Sequence, residues 1–217
     1  MPKKLNPSCT IIVLLVFSFL SARTCKAEEH APLRVGLIYG MSGPLSELSR
    51  NLRNAASLAA EDAAARDGPK VETFVEDSRW DPKEAVSAFT KLVTLNRVHA
   101  VHVTGTGMSL AIKPLLSARK VLMISVAAHP EVAGAGGLAL RHSNDASVDA
   151  ASLGDAVAAR TPRVVGIATI ENEWGVAYER AFTETLAQLL PAAAVRSVTH
   201  RPDEGDFRPQ VLSLSRH

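Results

Sequence analysis

The fold is decided by residues 98–126, VHAVHVTGTGMSLAIKPLLSARKVLMISV, near the middle of this 217-residue chain. Two runs rich in β-branched and aliphatic residues, at 98–103 and 121–126, enclose a glycine-containing turn and a segment of helical length. This order is typical of a strand, helix, strand crossover, in which the two strands are parallel. Neither run alternates cleanly between apolar and polar residues, so we expect both strands to be buried beneath helices on both sheet faces.

The turn of this crossover, residues 104–109, is a candidate binding site. In open parallel sheets, ligands bind beyond the carboxyl ends of the strands, where helix N-termini present free N–H groups. Gly105 and Gly107 leave the backbone accessible to a bound group, while Thr106 and Ser109 supply hydroxyls. A carboxylate fits this chemistry. Alternatively, Ser109 only caps its own helix, and the two roles are compatible.

Strand and helix patterns alternate along the rest of the chain, which predicts an α/β protein with a parallel sheet. Beyond the crossover, the predicted strands are 33–39, 71–75, 138–141, 163–169 and 194–199. The clearest helix start is Asp81-Pro82-Lys83-Glu84, where a capping residue precedes a proline and, three residues on, a glutamate. The polar run that follows Arg141 marks a change of pattern. We therefore predict a first lobe at 28–145 and a second at 146–217.

Residues 1–27 have the pattern of a signal peptide. Two lysines precede an apolar run at 11–20, and Cys25 and Ala27 are the small residues three and one before the expected cut. The apolar run is shorter than the roughly 20 residues of a membrane span. We therefore expect an exported protein. No small residue directly precedes Cys25, which argues against a lipid anchor, and both cysteines lie in this segment, so we expect no disulfide.

Charge and length narrow the possible functions. All 22 acidic residues, but only 20 of the 24 basic residues, lie after residue 27. The mature chain is therefore slightly acidic, and a nucleic-acid partner is not indicated. Its length provides one good core, whereas two complete lobes would need roughly 300 residues at about 150 per domain. We expect the second lobe to be incomplete.

The sequence lacks the common motifs of catalysis. No serine has glycines two residues before and after it, as the nucleophile elbow of an exported α/β hydrolase requires. Only Gly40 and Gly43 follow the first strand, too few for a dinucleotide-binding fingerprint, although Asp77 has the position of a ribose-binding acid. His99 and His102 are three apart in a strand and point to opposite faces, so they cannot share one metal ion. We expect no enzymatic activity, no cofactor and no metal.

Two loop residues lie at the same edge as the crossover turn. His129 follows the strand at 121–126, and Trp174 follows the strand at 163–169. A histidine in such a loop is often simply solvated. An exposed loop tryptophan is either a wall for a ligand or a cover for the core of its own lobe.

Five segments together carry a family resemblance. They are RVGLIYGMSGPLSELSRNLRNAASLAAEDA (34–63), VHVTGTGMSLAIKPLLSARKVLMISVAAHPEVA (101–133), LRHSNDASVDAASLGDAVA (140–158), VVGIATIENEWGVAYERAFTETL (164–186) and DFRPQVLSL (206–214). In content and order they resemble the leucine/isoleucine/valine-binding type of periplasmic substrate-binding protein. The resemblance implies a type I fold of two Rossmann-like lobes with parallel sheets, whose cleft closes on a small polar solute such as an amino acid. It also implies delivery of that solute to an ABC permease of the inner membrane.

The resemblance further implies a ligand site. The turn after the third strand supplies a serine hydroxyl to the ligand's carboxylate, the loop after the fourth strand contacts carboxylate and ammonium, and a second-lobe aromatic packs on the ligand. The matching residues here are Met108, Ser109, Ala127, Ala128, His129 and Trp174. The loop after the fourth strand is slightly shorter than in the family, and His129 replaces a threonine.

The resemblance leaves the solute open. Many relatives place an aromatic residue near Leu48, and its absence weakens the case for a branched-chain amino acid. Family members also continue beyond this sequence, so we expect a receptor truncated at its C-terminus. We expect a monomer in the periplasm; the alternatives are an amide or urea sensor of the same fold, or a non-functional truncated product.

Overall fold

The computed structural model describes residues 31–43, 45–66, 68–134 and 137–215, in which seven strands alternate with seven α-helices. The predicted signal peptide, with both cysteines, lies outside these residues. None of the helices in these ranges is long and apolar enough to span a membrane.

Five parallel strands form the first sheet, in the order β2-β1-β3-β4-β5. They are β1 (Leu33–Tyr39), β2 (Val71–Asp77), β3 (Ala100–Thr104), β4 (Leu122–Val126) and β5 (Ala139–Arg141). The helices between them are α1 (Ser46–Ala65), α2 (Pro82–Lys91), α3 (Thr106–Ile112) and α4 (Leu116–Arg119). A π-helical turn, Leu92–Asn96, extends α2, and a 3-10 turn, Lys113–Leu115, joins α3 to α4. Since β3 and β4 pair in parallel, the predicted crossover is confirmed.

Two further strands, β6 (Val164–Ile170) and β7 (Ala194–His200), form a second parallel sheet. Helix α5 (Ala146–Ala158) leads from β5 to β6 and packs along α6 (Glu173–Leu189), and α7 (Arg208–Ser215) packs on β7. The predicted alternation of strands and helices is confirmed. The predicted lobe boundary after residue 145 falls between β5 and α5 and stays a prediction.

The main core lies on one face of the first sheet. Val101 and Val103 of β3 are fully buried there, together with Phe89 of α2 and Ile112 of α3. The other face is only partly covered, because α1 packs mainly over β2 and has a single buried residue, Ser49. Residues of β3 and β4 therefore alternate largely between buried and half-buried. The expectation that both strands are buried on both faces is wrong for the described residues.

Side-chain caps fix where two of the helices, α2 and α6, begin. At the start of α2, the Asp81 carboxylate accepts hydrogen bonds from the N–H groups of Lys83 (2.8 Å) and Glu84 (3.0 Å), as predicted. At the start of α6, the Asn172 side chain accepts one from the N–H of Gly175 at 2.9 Å. This second cap begins α6 directly at the carboxyl end of β6.

Candidate functional site

Helix α6 brings the edge of the second sheet against the loops that follow β3 and β4. A Cβ atom built on Gly107, in the first turn of α3, would lie 2.5 Å from Oε2 of Glu173. The Glu173 carboxylate therefore rests directly on this turn. One helical turn further along α6, Ala177 packs with Ala128 and Ala146. These contacts define a candidate cleft between the loops after β3 and β4 and the N-terminus of α6.

The turn after β3 is held by hydroxyl groups. Gly105 adopts a φ of 111°, a conformation that residues with a Cβ rarely adopt, and starts α3 without a side-chain cap. The proposed cap role of Ser109 is therefore wrong, because Ser109 lies inside α3. Its hydroxyl is fully buried, donates to Gly105 O at 2.7 Å and lies 2.6 Å from Ser125 Oγ. A ligand could contact Ser109 only after this enclosure opens, so its role in binding stays a prediction.

The predicted backbone donors after β4 have partners inside the protein. The N–H of Ala127 donates to Ser143 Oγ at 3.3 Å, and the N–H of Ala128 donates to Thr106 Oγ1 at 3.0 Å. The Ala128 carbonyl accepts the N–H of Ala146 at 2.9 Å. The loop therefore joins the first sheet to the start of α5, and a ligand would have to replace one of these hydrogen bonds to use the same donors.

His129 begins the 3-10 turn Pro130–Val132 at the rim of this loop. Its Nδ1 accepts the N–H of Glu131 at 3.2 Å, and its carbonyl accepts an N–H of Arg141 at 3.2 Å. Arg141 also forms an ion pair with Asp145 at 2.7 Å. His129 is half-buried, whereas Met108, Ala127 and Ala128 are almost entirely buried.

Trp174 belongs to an aromatic pair on α6. It is 49% exposed, and its ring lies 4.5 Å from that of Tyr178. The Tyr178 hydroxyl donates to Asp149 Oδ2 at 2.5 Å. Burial, together with the neighbouring Asp149 and Asp145 carboxylates, raises the pKa of Tyr178 to about 12. Trp174 is the only predicted site residue with a largely exposed side chain, so it is free to contact a solute.

Sequence reasoning missed several residues of the cleft. It assigned no role in the site to Tyr178, Asp149 or Glu173. Glu173 could have been found as the acid that directly precedes Trp174 at the start of the helix after β6. No local signal joins Tyr178 to Asp149, because that pair depends on the packing of α5 against α6.

Trp80 is another residue that sequence reasoning missed. Arg79 and Trp80 follow β2 with φ angles of 51° and 58°, left-handed values that cost free energy in residues other than glycine. In this conformation the indole ring lies on Gly40 and reaches Gly105, so it spans the ends of β1 and β3. Its N–H is buried and has no hydrogen-bond partner among the described residues. An aromatic residue just before the Asp81 cap was the available signal.

Asp77, at the end of β2, is hydrogen-bonded to the turn that follows β1 and to the turn that follows β2. Its Oδ1 accepts the N–H groups of Met41 and Arg79, each at 2.8 Å. Burial favours the neutral acid, but hydrogen bonds from Arg79, Ser42 and Met41 outweigh it and lower the pKa of Asp77 below its ordinary value. The acid therefore stabilises a turn at the place where a ribose-binding carboxylate would otherwise lie.

His99, which directly precedes β3, and His102, within β3, have separate environments. His99 Nδ1 accepts the N–H of Arg34 at 3.0 Å, whereas His102 Nδ1 lies 2.8 Å from the Tyr39 hydroxyl and its ring lies 5.0 Å from that of His142. In the described part of the chain, no group of three or more His, Cys, Asp or Glu side chains is placed to hold a metal ion.

Two open surface concavities lie away from the cleft. One follows the outer face of α6, along Val176, Glu179 and Thr183, and the other follows α7 around Pro209. Neither is lined by a predicted site residue. The loops after β3 and β4 are themselves in direct contact with α6.

Comparison with known families identifies the architecture. The periplasmic binding protein family model matches residues 32–216. This chain belongs to the periplasmic binding protein family. The predicted family and its type I α/β fold are thereby confirmed. Members of the family are solute-binding receptors, not enzymes.

Individual relatives of this periplasmic binding protein are distant. The Leu/Ile/Val-binding protein BraC3 of Rhizobium johnstonii is 26% identical over 121 residues, covering 54% of this chain and 31% of the relative. Among solved structures, the leucine-binding protein LivK of Thermotoga maritima has a TM-score of 0.74 at 23% identity, covering 83% of this chain and 52% of LivK. The chain thus spans about half the length of LivK and a third of BraC3.

Two further solved structures carry bound molecules. The substrate-binding protein LivJ of Streptococcus pneumoniae, in complex with isoleucine, has a TM-score of 0.74 at 20% identity, covering 86% of this chain and 55% of LivJ. A solute-binding protein of an ABC transporter from Rhodopseudomonas palustris, in complex with 3,4-dihydroxybenzoic acid, has the same TM-score and identity, covering 84% of this chain and 51% of that protein. At these identities the likeness shows the fold alone.

Proposed function

We propose that this periplasmic binding protein contributes the ligand-binding cleft of a solute receptor for an ABC importer. The observation that supports this most directly is the contact of α6 with the predicted ligand loops, Glu173 on Gly107 and Ala177 on Ala128. A receptor of this kind works by closing two lobes on a solute, and contacts between α6 and these loops are consistent with such closure.

The solute class that we propose is a small carboxylate, an amino acid or an aromatic acid. Isoleucine and 3,4-dihydroxybenzoic acid, bound by two relatives of the same fold, share a carboxylate and a compact hydrocarbon portion. The proposed ligand-binding residues are Met108, Ser109, Ala127, Ala128, His129 and Trp174, and we add Tyr178. Trp174 and Tyr178 would pack on the apolar body, as aromatic side chains commonly do in ligand pockets.

The cellular setting is part of the same proposal. We propose that the protein is exported to the periplasm and serves an ABC permease of the inner membrane as a monomer. The lobes would be residues 28–145 and 146–217. Family membership and the signal-peptide pattern support this proposal.

Thermal unfolding with a panel of amino acids, aromatic carboxylates and amides tests the proposed function. One class of carboxylate should raise Tm, and the rise should grow as ligand concentration exceeds the dissociation constant. A panel without effect contradicts the proposal, and a response to amides alone would favour the sensor alternative.

A pair of variants shows whether the effect arises in the cleft. Trp174→Ala should abolish the ligand-induced rise and lower the unliganded Tm only moderately, because its side chain is half exposed and loses one ring contact, with Tyr178. Val176→Ala is the matched control, since Val176 is exposed two residues further along α6 and lines the outer concavity. Equal loss of the ligand response in both variants would argue against binding at Trp174.

A further inference from the structure

Two histidine rings meet on the less covered face of the first sheet. His102 lies within β3 and His142 directly follows β5, so the pair spans the intervening strand β4. The ring centroids are 5.0 Å apart, and the ring planes are tilted by 34°. Two imidazoles that share a tetrahedral zinc ion, each at about 2.0–2.1 Å, have ring centres about 5 Å apart. The separation of the two rings therefore matches that of two ligands to one ion.

The two rings have nitrogen atoms available for an ion. Nδ1 of His102 lies 2.8 Å from the hydroxyl of Tyr39, which is fully buried. Within the described ranges, Nε2 of His102 and both ring nitrogens of His142 form no hydrogen bond. A metal-ligating histidine usually has its other ring nitrogen hydrogen-bonded, because that bond fixes the tautomer and the orientation of the ring. Tyr39 gives His102 this support, and the exposed His142 can turn toward an ion that enters from solvent.

A buried hydroxyl beside the pair has no partner. Thr104 is 5% exposed, and its Oγ1 forms no hydrogen bond in the part of the chain that the structure describes. Side chains alternate along a strand, so Thr104 lies on the same sheet face as His102, two residues away. A buried hydroxyl without a partner costs free energy. A hydrated ion at the histidine pair would bring a polar partner to this place.

The neighbouring basic side chain does not oppose a cation. Arg141 directly precedes His142, but its strand position pairs with the buried Ser125 and so places its side chain on the opposite face of the sheet. There it forms an ion pair with Asp145 at 2.7 Å. The positive charge of Arg141 is therefore neutralised and lies away from the two rings.

We propose that His102 and His142 form a zinc-binding site that joins β3 to the segment after β5. Imidazole nitrogen suits Zn²⁺, whereas Mg²⁺ and Ca²⁺ prefer oxygen ligands. Water completes the coordination of the ion. The ion stabilises the segment that leads from the three-residue strand β5 to α5. None of the proposed solute-binding residues takes part, so this inference does not depend on the proposed function.

Zinc titration of the 217-residue chain tests the site. After treatment with a chelator, the wild type should bind one Zn²⁺ by calorimetry and gain Tm as Zn²⁺ is added, whereas Mg²⁺ should have neither effect. His142→Gln should weaken Zn²⁺ binding by about tenfold or more, because it removes one of the two protein ligands. Its side chain is exposed, so the variant should fold normally. His102→Gln should weaken binding in the same way.

His99→Gln is the matched control, because His99 is also exposed and its Nδ1 already accepts the N–H of Arg34. It should keep the wild-type affinity for Zn²⁺. Amide hydrogen exchange should slow at residues 139–145 when Zn²⁺ is added to the wild type, and not in His142→Gln. Absence of Zn²⁺ binding in the wild type, or equal binding in the wild type and His142→Gln, would overturn the inference and leave the proposed function untouched.

Discussion

The hydroxyls of Ser109 and Ser125 lie 2.6 Å apart and join α3 to the adjacent strand β4. Both residues are fully buried, and Ser109 also donates to the carbonyl of Gly105. The turn at residues 104–109, which was predicted to face a ligand, is therefore held in place by two buried hydrogen bonds of the Ser109 hydroxyl.

Ser109→Ala should destabilise the protein by about 1–3 kcal/mol, because it leaves the Ser125 hydroxyl buried without this partner. Ser117→Ala on the exposed face of α4 is the control and should change stability little. Urea unfolding measures both. If Ser109 contacts the ligand as proposed, ligand affinity should fall as well, whereas unchanged affinity would limit Ser109 to its structural role.

Stability should depend on pH through His102. Burial, and to a smaller extent the charge of the nearby His142, lowers the pKa of His102 from 6.5 to about 4. The unfolded chain therefore binds this proton more readily than the folded chain between these values. Folding stability should fall as pH drops from about 6.5 to about 4, by at most about 3 kcal/mol, and this contribution should not change further below pH 4.

Urea unfolding across this pH range compares the wild type with His102→Gln. Acidic residues titrate in the same range, so the informative quantity is the difference between the two proteins. The variant should show the shallower decline, whereas His200→Gln in the second sheet should follow the wild type. Identical declines in wild type and His102→Gln would show that His102 does not cause the effect.

Gly175→Ala should be strongly destabilising. A Cβ atom there would lie 2.0 Å from the backbone oxygen of Ile170, which cannot move without shifting β6. We expect a loss of about 1–3 kcal/mol or more. Gly205→Ala, where a Cβ meets nothing within 4 Å, should stay within about 0.5 kcal/mol of the wild type. Thermal unfolding measures the Tm of both variants. Equal Tm values would contradict the close approach of α6 to β6.

Asp149→Asn should lower the pKa of Tyr178 from about 12 toward its ordinary value of 10.0. The substitution removes a negative charge and a carboxylate acceptor, whereas the effect of burial remains. The chain has two tyrosines, so alkaline absorbance titration in a Tyr39→Phe background reports Tyr178 alone, with the fold checked by circular dichroism. Asp155→Asn, which removes an exposed acid elsewhere on α5, is the control and should leave the pKa of Tyr178 unchanged. A shift of the same size in both variants would exclude a specific effect of Asp149.

Much of the fold could be predicted because its signals are local. The cap at Asp81, the strand runs on either side of residues 104–109 and the order of the later strands all appear as expected. The burial of β3 and β4 was predicted less well. Their sequences suit a covered sheet, but the coverage depends on where α1 lies, and α1 packs mainly over β2.

The candidate site could be predicted only in outline. The sequence located the loops after β3, β4 and β6, because parallel strands place their carboxyl ends at one edge. It did not show that the donors of Ala127 and Ala128 have partners inside the protein, or that Trp80 lies across the ends of β1 and β3.

The sequence by itself determined the class of fold and the order of its elements, and it predicted the edge at which we propose that a solute binds. Periodicity, caps and turn residues act through neighbouring backbone groups, so they can be read along the chain. Only the tertiary structure decided that Glu173 rests on Gly107, that Tyr178 bonds to Asp149 and that Ser109 is enclosed beside Ser125. These pairs are distant in sequence, and helix packing and strand register, which local propensity does not fix, bring them together.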